Sequence, residues 1–354
     1  MSLAAANYAR NLISLLVGKR LLYPQIAVLY VTARCNLNCA YCEDFGLSRS
    51  SEAPPELSLE DALHVLRVIR SGTDRLILTG GEPLLYPKID DLVVAARELG
   101  FTITLTTNGL LLPQHEDILT HLDRLIVSLD ALDPRVWGPT IGMPAAVAET
   151  LIDRIRTYAL RQGEWGYQMI ANCVLSPETL SSAPAVLEFC AQCGMLASFS
   201  PQAVRHWPHA ELLVSPAYRE MISWLLAQKR VGAPVLGSTR YLETVHSFRP
   251  FSCYPTLVPR VMSNGDLAYP CRPFEKEESA QGGRPCNLLQ VSTWQEALRA
   301  ALDAYGLPPR TCNTCYQQCY VEPSLMQSHP FSLLWERVRY RASRRGGLSS
   351  FVPG

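Results

Sequence analysis

Cys35-Asn36-Leu37-Asn38-Cys39-Ala40-Tyr41-Cys42 decides how the rest of the sequence is read. Three thiols fall in a C-x3-C-x2-C spacing directly after the apolar run Ile26 to Val31. Such a run predicts a β-strand. The thiols then lie on the loop leaving its C-terminal end, where α/β sheets and barrels gather their ligand sites. Three thiolates on one short loop suit a soft metal or an iron–sulfur cluster. A four-iron cubane held by three cysteines keeps one iron open to a substrate or cofactor. On spacing alone, a zinc loop, which ordinarily takes four ligands, and unrelated core thiols are the competing readings.

Working outward, strands and helices alternate. Ser58 predicts a helix N-cap, with Asp61 three residues on in a near capping box. Leu59, Ala62, Leu63, Leu66 and Ile69 recur at helical spacing as far as Gly72. Strands are then expected at 76–78, 101–106, 125–129, 167–175 and 196–200, and helices at 89–99, 117–122, 146–161 and 183–193. With the first strand this makes six, in the βα repeat of a parallel sheet. Residues 202–252 read as a bridge with one good helix, Tyr218 to Lys229. Residues 253–320 form a cysteine-rich module and 321–354 a basic tail.

Composition bounds the function. The chain has 354 residues, 18% charged and 48% hydrophobic, enough to bury a full-sized catalytic domain and a smaller second one. The formal net charge is zero, so no global field draws it to nucleic acid. Twelve cysteines in clusters argue for metal rather than disulfides. No charge-free run of about 18 apolar residues marks a membrane span. At the N-terminus, Leu12, Ile13, Leu15 and Leu16 form an apolar stripe with Arg10, Lys19 and Arg20 at its ends. A docked helix is the plain reading of residues 1–25, and a helix on a membrane surface the sharper one. The tail from Phe331 to Arg345 is amphipathic and basic, with a solvated basic helix as the plain reading and membrane or partner docking as the alternative. A cytoplasmic protein, peripheral to a membrane in the sharper case, is expected.

The second decisive stretch is Thr79-Gly80-Gly81-Glu82-Pro83, which ends the second strand. Together with C-x3-C-x2-C and the aromatic Tyr41 before the third cysteine, it resembles the radical S-adenosylmethionine (SAM) superfamily, over roughly residues 26–201. The resemblance implies an open, partial (β/α)6 barrel, in agreement with the strand count. It also implies that Cys35, Cys39 and Cys42 ligate a 4Fe–4S cluster whose open iron takes the amine and carboxylate of SAM. Reduction by a partner such as flavodoxin or ferredoxin then releases a 5′-deoxyadenosyl radical. Gly80 and Gly81 would let the backbone approach the methionine moiety, and Glu82 would accept from its ammonium. Thr106, Asn108, Ser128 and Asp130, at the ends of the next strands, are expected near the carboxylate and ribose, and Asn172 near the adenosine. Tyr41 either lines the adenine or packs.

Near the C-terminus stand Cys253, Cys271, Cys312 and Cys315, with Cys319 as an alternative ligand. Asn264-Gly265 between apolar residues predicts a two-residue hairpin that returns Cys271 beside Cys253. Four thiolates suit zinc or a fully ligated cluster. The layout resembles the twitch domain, the short form of the SPASM domain of radical SAM enzymes, which implies one auxiliary 4Fe–4S cluster. Cys286 and Cys319 are too few and wrongly spaced for a second. Cys286-Asn-Leu resembles the family's Gly-Asn-Leu turn, so Cys286 is read as structural. Cys190 and Cys193 share a helix face and, with Cys173, read as core thiols. His206 and His209 are the candidate substrate contacts.

These features lead to a radical SAM oxidoreductase acting on a C–H bond of a small molecule or lipid, with the auxiliary cluster as electron acceptor. The 25 residues before the first strand favour a small substrate over a ribosomally made peptide, whose maturases frequently carry an N-terminal recognition domain. Peptide maturation, a zinc protein and an electron carrier are the alternatives.

Overall fold

Six parallel strands form where the apolar runs place them, each within one residue of expectation at either end. They are β1 (Ala27–Tyr30), β2 (Arg75–Thr79), β3 (Thr102–Thr107), β4 (Arg124–Ser128), β5 (Gln168–Leu175) and β6 (Leu196–Pro201). The computed structural model describes residues 2–46, 55–204, 207–272, 286–308 and 315–331. β1 to β6 lie side by side in chain order, with helices such as Leu59–Gly72, Ile89–Glu98, Ala145–Leu160 and Ala183–Gln192 between them. This is the partial (β/α)6 barrel. The segment 117–122 is a 3₁₀ turn of Glu116–His121, not an α-helix. Among the described residues, no helix is long and apolar enough to cross a membrane.

Alternation along the strands positions the site. Leu76, Leu78, Ile103, Leu105, Leu125, Val127, Met169, Ala171, Ala197 and Phe199 are buried beneath the helices. The opposite face carries Thr79, Thr106, Ser128, Asn172 and Ser200, all partly open. Pairing holds this polar row level, with Ser128 against Asn172 and Asn172 against Ser198. A slip of one residue would turn the polar row into the helices, at about 1.5–3 kcal/mol for each large apolar side chain lost from the core.

The C-terminal module extends the same sheet. After a short hairpin, β7 (Ala203–Val204) and β8 (Trp207–Pro208), come β9 (Arg260–Val261), β10 (Asp266–Ala268) and β11 (Cys286–Asn287). β9 pairs in parallel with the free edge of β1, and β10 returns antiparallel. The hairpin loop holds three residues, Ser263 to Gly265, one more than the sequence predicts. Val261 pairs with Leu267 and Met262 N donates to Asp266 O. Gly265, at φ 88°, takes the left-handed place that closes such a loop.

The bridge helix runs Pro216–Arg230, and a further one covers Thr239–Ser247. The final described helix, Gln318–Ser328, crosses the boundary expected at residue 320. The tail beyond 331 lies outside the described residues.

The N-terminal helix is docked, with Leu15 of its apolar stripe packed on the core but most of the buried face polar or small. It spans Leu3–Leu16 and buries Ala4, Asn7 and Asn11, whereas Ile13 and Leu16 are exposed. The Asn7 amide donates to Pro24 O and Gly72 O, and Asn11 pairs with the backbone of Tyr23. Satisfied amides can sit where apolar side chains are expected.

Candidate active site

The cysteine loop is laid onto the end of β2. Gly81 N donates to Thr32 O at 3.0 Å, and Glu82 N to Arg34 O at 2.8 Å. A Cβ on Gly80 would stand 2.4 Å from Thr32 O, and one on Gly81 2.3 Å from Arg34 O. The room left by these glycines is therefore filled by the loop's own backbone. On the other side, Asn38 N donates to Ile141 O and Ala40 N to Thr140 O. Gly142 (φ 68°) again leaves no space for a side chain, since a Cβ would meet Asn38 O at 2.6 Å. Arg34 forks onto Glu56, with Nε to Oε1 at 2.7 Å and Nη2 to Oε2 at 3.1 Å, and also donates to Leu85 O.

Two buried carboxylates complete the cradle. Glu82 is shut off from solvent. Its Oε1 accepts from Thr107 Oγ1 at 2.7 Å and Leu84 N at 3.1 Å, and its Oε2 from Asn108 N at 2.8 Å. Burial nevertheless pushes its pKa up to about 7. Asp130 accepts from the Tyr41 hydroxyl at 2.8 Å, Trp137 Nε1 at 3.3 Å and Val174 N at 2.8 Å. Burial raises its pKa to about 6. A carboxylate offers about four acceptor sites, so each has room for roughly one more donor.

Asn108 reaches across from β3 to Asn36 Oδ1 at 2.8 Å. Tyr41 is thus anchored through its hydroxyl. Thr106, Ser128 and Asn172 stand on the open face of the sheet. Asn36 lies within the cysteine motif, but no sequence motif marks Thr107, Trp137 or Gly142, which the end of β3 and the helix Pro134–Thr140 with its following turn bring here.

The thiols have the donor chemistry for a cluster. Leu37 N points at Cys35 Sγ (3.5 Å) and Phe45 N at Cys42 Sγ (3.4 Å), the N–H···S contacts that favour a thiolate. Burial first, then neighbouring negative groups including the other thiols, push Cys35 up to about 11 and Cys39 up to about 12. Metal loading must therefore expel protons. Among the described residues no group of three or more His, Cys, Asp or Glu is drawn together closely enough to hold a metal as it stands. The sulfurs are near enough to perturb one another, and three soft donors on one loop fit an iron–sulfur group.

A second cysteine set converges on the start of the helix Gln318–Ser328. Cys253, Cys271 and Cys315 are buried, Cys319 is partly exposed, and Cys312 lies outside the described residues. Tyr254 N donates to Ser324 Oγ, Arg272 N to the Tyr320 hydroxyl, and Phe251 packs on Tyr316. The two sets adjoin: Asp44, two residues after Cys42, pairs with Arg272, next to Cys271, at 3.6 Å.

Residues 317–319 also span the open side of the sheet. Gln317 and Cys319 accept from Arg260 on β9, while Gln318 meets Ser198 on β6. Gln318 thereby ties this segment to β6, the last strand of the parallel run.

His209 caps the helix Ala210–Val214 through Nδ1, and His206 lies outside the described residues. Cys286 donates to Ala297 O in the core. Cys173, Cys190 and Cys193 are buried.

The model of the radical SAM superfamily matches residues 29–190. The AdoMet-dependent heme synthase of Methanosarcina barkeri is 32% identical over 178 residues, 49% of this chain and 49% of that protein. The GTP 3′,8-cyclase of Parasynechococcus marenigrum is 39% identical over 150 residues, 38% of this chain and 42% of that protein. The chain thus spans about half or less of these relatives' lengths. Among solved structures, Streptococcus suis SuiB bound to S-adenosylmethionine superimposes with a TM-score of 0.61 at 21% identity, covering 81% of this chain and 68% of that one. A histidine-tagged anSMEcpe with bound AdoMet gives 0.56 at 14% identity, covering 79% and 81%.

Proposed function

We infer, from a chain that belongs to the radical SAM superfamily over residues 29–190, that it functionalises or oxidises a C–H bond of a small molecule or lipid. In this proposal Cys35, Cys39 and Cys42 hold the SAM-binding 4Fe–4S cluster. The C-terminal cysteines hold an auxiliary one, from Cys253, Cys271, Cys312 and Cys315, with Cys319 as the alternative. Loaded with a cluster reduced by an external one-electron donor and with SAM, such a site would supply hydrogen-abstracting radical chemistry, and a second cluster held by the C-terminal cysteines would supply an electron-accepting centre.

The protein's own share is positioning. Glu82 would give its remaining acceptor site to the methionyl ammonium once the loop around it parts, since here it is shut off from solvent. Thr106, Ser128 and Asn172 offer hydroxyls and an amide along the open face for carboxylate, ribose and base. Asp130 acts by fixing Tyr41. The observation that carries the proposal is the span of residues 317–319 from β9 to β6. It supports the reading by linking the segment that carries Cys319 to both β9 and β6, on the side of the sheet that bears the polar row.

Metal analysis after anaerobic reconstitution tests this assignment. About eight irons per chain are expected, falling to about four when Cys253, Cys271 and Cys315 become alanine. SAM cleavage to 5′-deoxyadenosine should survive in that variant. Zinc in place of half the iron, or an unchanged iron load in the variant, would refute the auxiliary cluster.

A further inference from the structure

Arg260 is a cation set without a carboxylate among its described partners. Its Nη1 donates to the Tyr30 hydroxyl, and its Nη2 to Cys319 Sγ at 2.7 Å and Gln317 Oε1 at 3.3 Å. The guanidinium lies over the Tyr320 ring at 4.7 Å and within 5.9 Å of the Tyr30 ring. Its Nε is shut off from solvent and meets no acceptor among the described residues. A guanidinium stays charged under all ordinary conditions, and a partly buried charge with neutral partners is costly. The register of β9 puts it there: Arg260 pairs with Val28, two residues before Tyr30 on the same face of β1.

The missing negative charge has an obvious source in the same place. Cys319 is its direct partner, Cys315 is close enough to act on its charge, and Cys271 and Cys319 both act on Tyr320. A four-thiolate iron–sulfur group carries net negative charge. Given the C-terminal iron–sulfur site proposed above, on which this rests, we propose that the site takes the alternative ligand Cys319 and that Arg260 is its built-in counter-charge, donating an N–H···S hydrogen bond at Cys319 and raising its reduction potential. Net charge and hydrogen bonds to sulfur are levers that set such potentials. Reduction adds one electron and breaks no bond, so a fixed cation beside the sulfur favours the reduced form.

The test is an EPR-monitored redox titration, with dithionite as reductant, of the full-length iron-loaded protein. The C-terminal signal is the one that persists when Cys35, Cys39 and Cys42 are alanine. Arg260→Met should lower the reduction equilibrium of that signal at least tenfold, equivalent to about 59 mV for one electron. Arg260→Lys, which keeps the charge, should recover part of the shift. A change below about twofold in Arg260→Met would overturn the assignment. If that variant fails to fold or load, wild-type protein grown with 15N-arginine replaces it. Pulsed EPR should then detect nitrogen coupling to the reduced C-terminal signal, and its absence would overturn the assignment equally. Wild-type protein with only about four irons would refute the C-terminal site itself, and the role of Arg260 with it.

Discussion

Glu82→Ala is expected to lower the unfolding free energy of the iron-free protein by about 3–5 kcal/mol, because three enclosed donors lose their acceptor together. Leu84 N, Asn108 N and the Thr107 hydroxyl all point at this carboxylate. Two of the three are backbone groups that cannot turn away to water. The loss should depend on pH in a definite direction. The folded-state pKa of Glu82 is raised from 4.5 to about 7, burial being the main cause. Its contribution is therefore complete below about 4.5 and diminishes as pH rises towards about 7. Urea unfolding at pH 5 and pH 8 measures both effects, and the gap between wild type and variant should be wider at pH 5. A destabilisation below about 1 kcal/mol at both pH values would mean that the carboxylate is not a structural hub.

Gly81→Ala should act on the metal rather than on the fold. The new Cβ would lie 2.3 Å from Arg34 O and 2.9 Å from Ala33 O, both backbone atoms that cannot swing aside. The cysteine loop must then lift from β2, breaking the Glu82 N to Arg34 O hydrogen bond that holds it. Since Gly81 is not in the left-handed region, crowding and not backbone strain is the cause. Reconstituted Gly81→Ala should keep its circular dichroism and lose roughly half of its iron. A variant that retains the full load, with an unaltered EPR signal from the N-terminal cluster, would show that the loop tolerates the displacement.

The fold was legible because the strands are fully buried on one face and bounded by clear turn signals. Leu76 to Leu78 or Leu196 to Ser200 can hardly be anything else between amphipathic helices. Boundaries were harder where a polar group does an apolar group's work. Asn7 and Asn11 face the core of the N-terminal helix because their amides saturate loop carbonyls, which no periodicity reveals. The hairpin at Asn264-Gly265 gained a residue because Met262 still pairs with Asp266.

At the site, the thiols and Gly-Gly-Glu-Pro stood out as motifs. What they touch did not. Asp130 looks in sequence like a strand-end ligand group, yet three protein donors already occupy it, and Arg260 looks like one more surface arginine. Both acquire their meaning from partners far away in the chain: Tyr41 is 89 residues from Asp130, and Cys319 is 59 from Arg260.

In the proposed function SAM is bound and cut at the Cys35–Cys42 loop, which is seated on β2. Incubating the anaerobically reconstituted protein with SAM and dithionite, and measuring 5′-deoxyadenosine and methionine, tests it most directly. The two products should form in equal amounts with wild-type protein, and neither should form when Cys35, Cys39 and Cys42 are alanine. Iron-loaded wild-type protein that leaves SAM intact, or a triple variant that cleaves it at the wild-type rate, would place SAM chemistry elsewhere or nowhere in this chain.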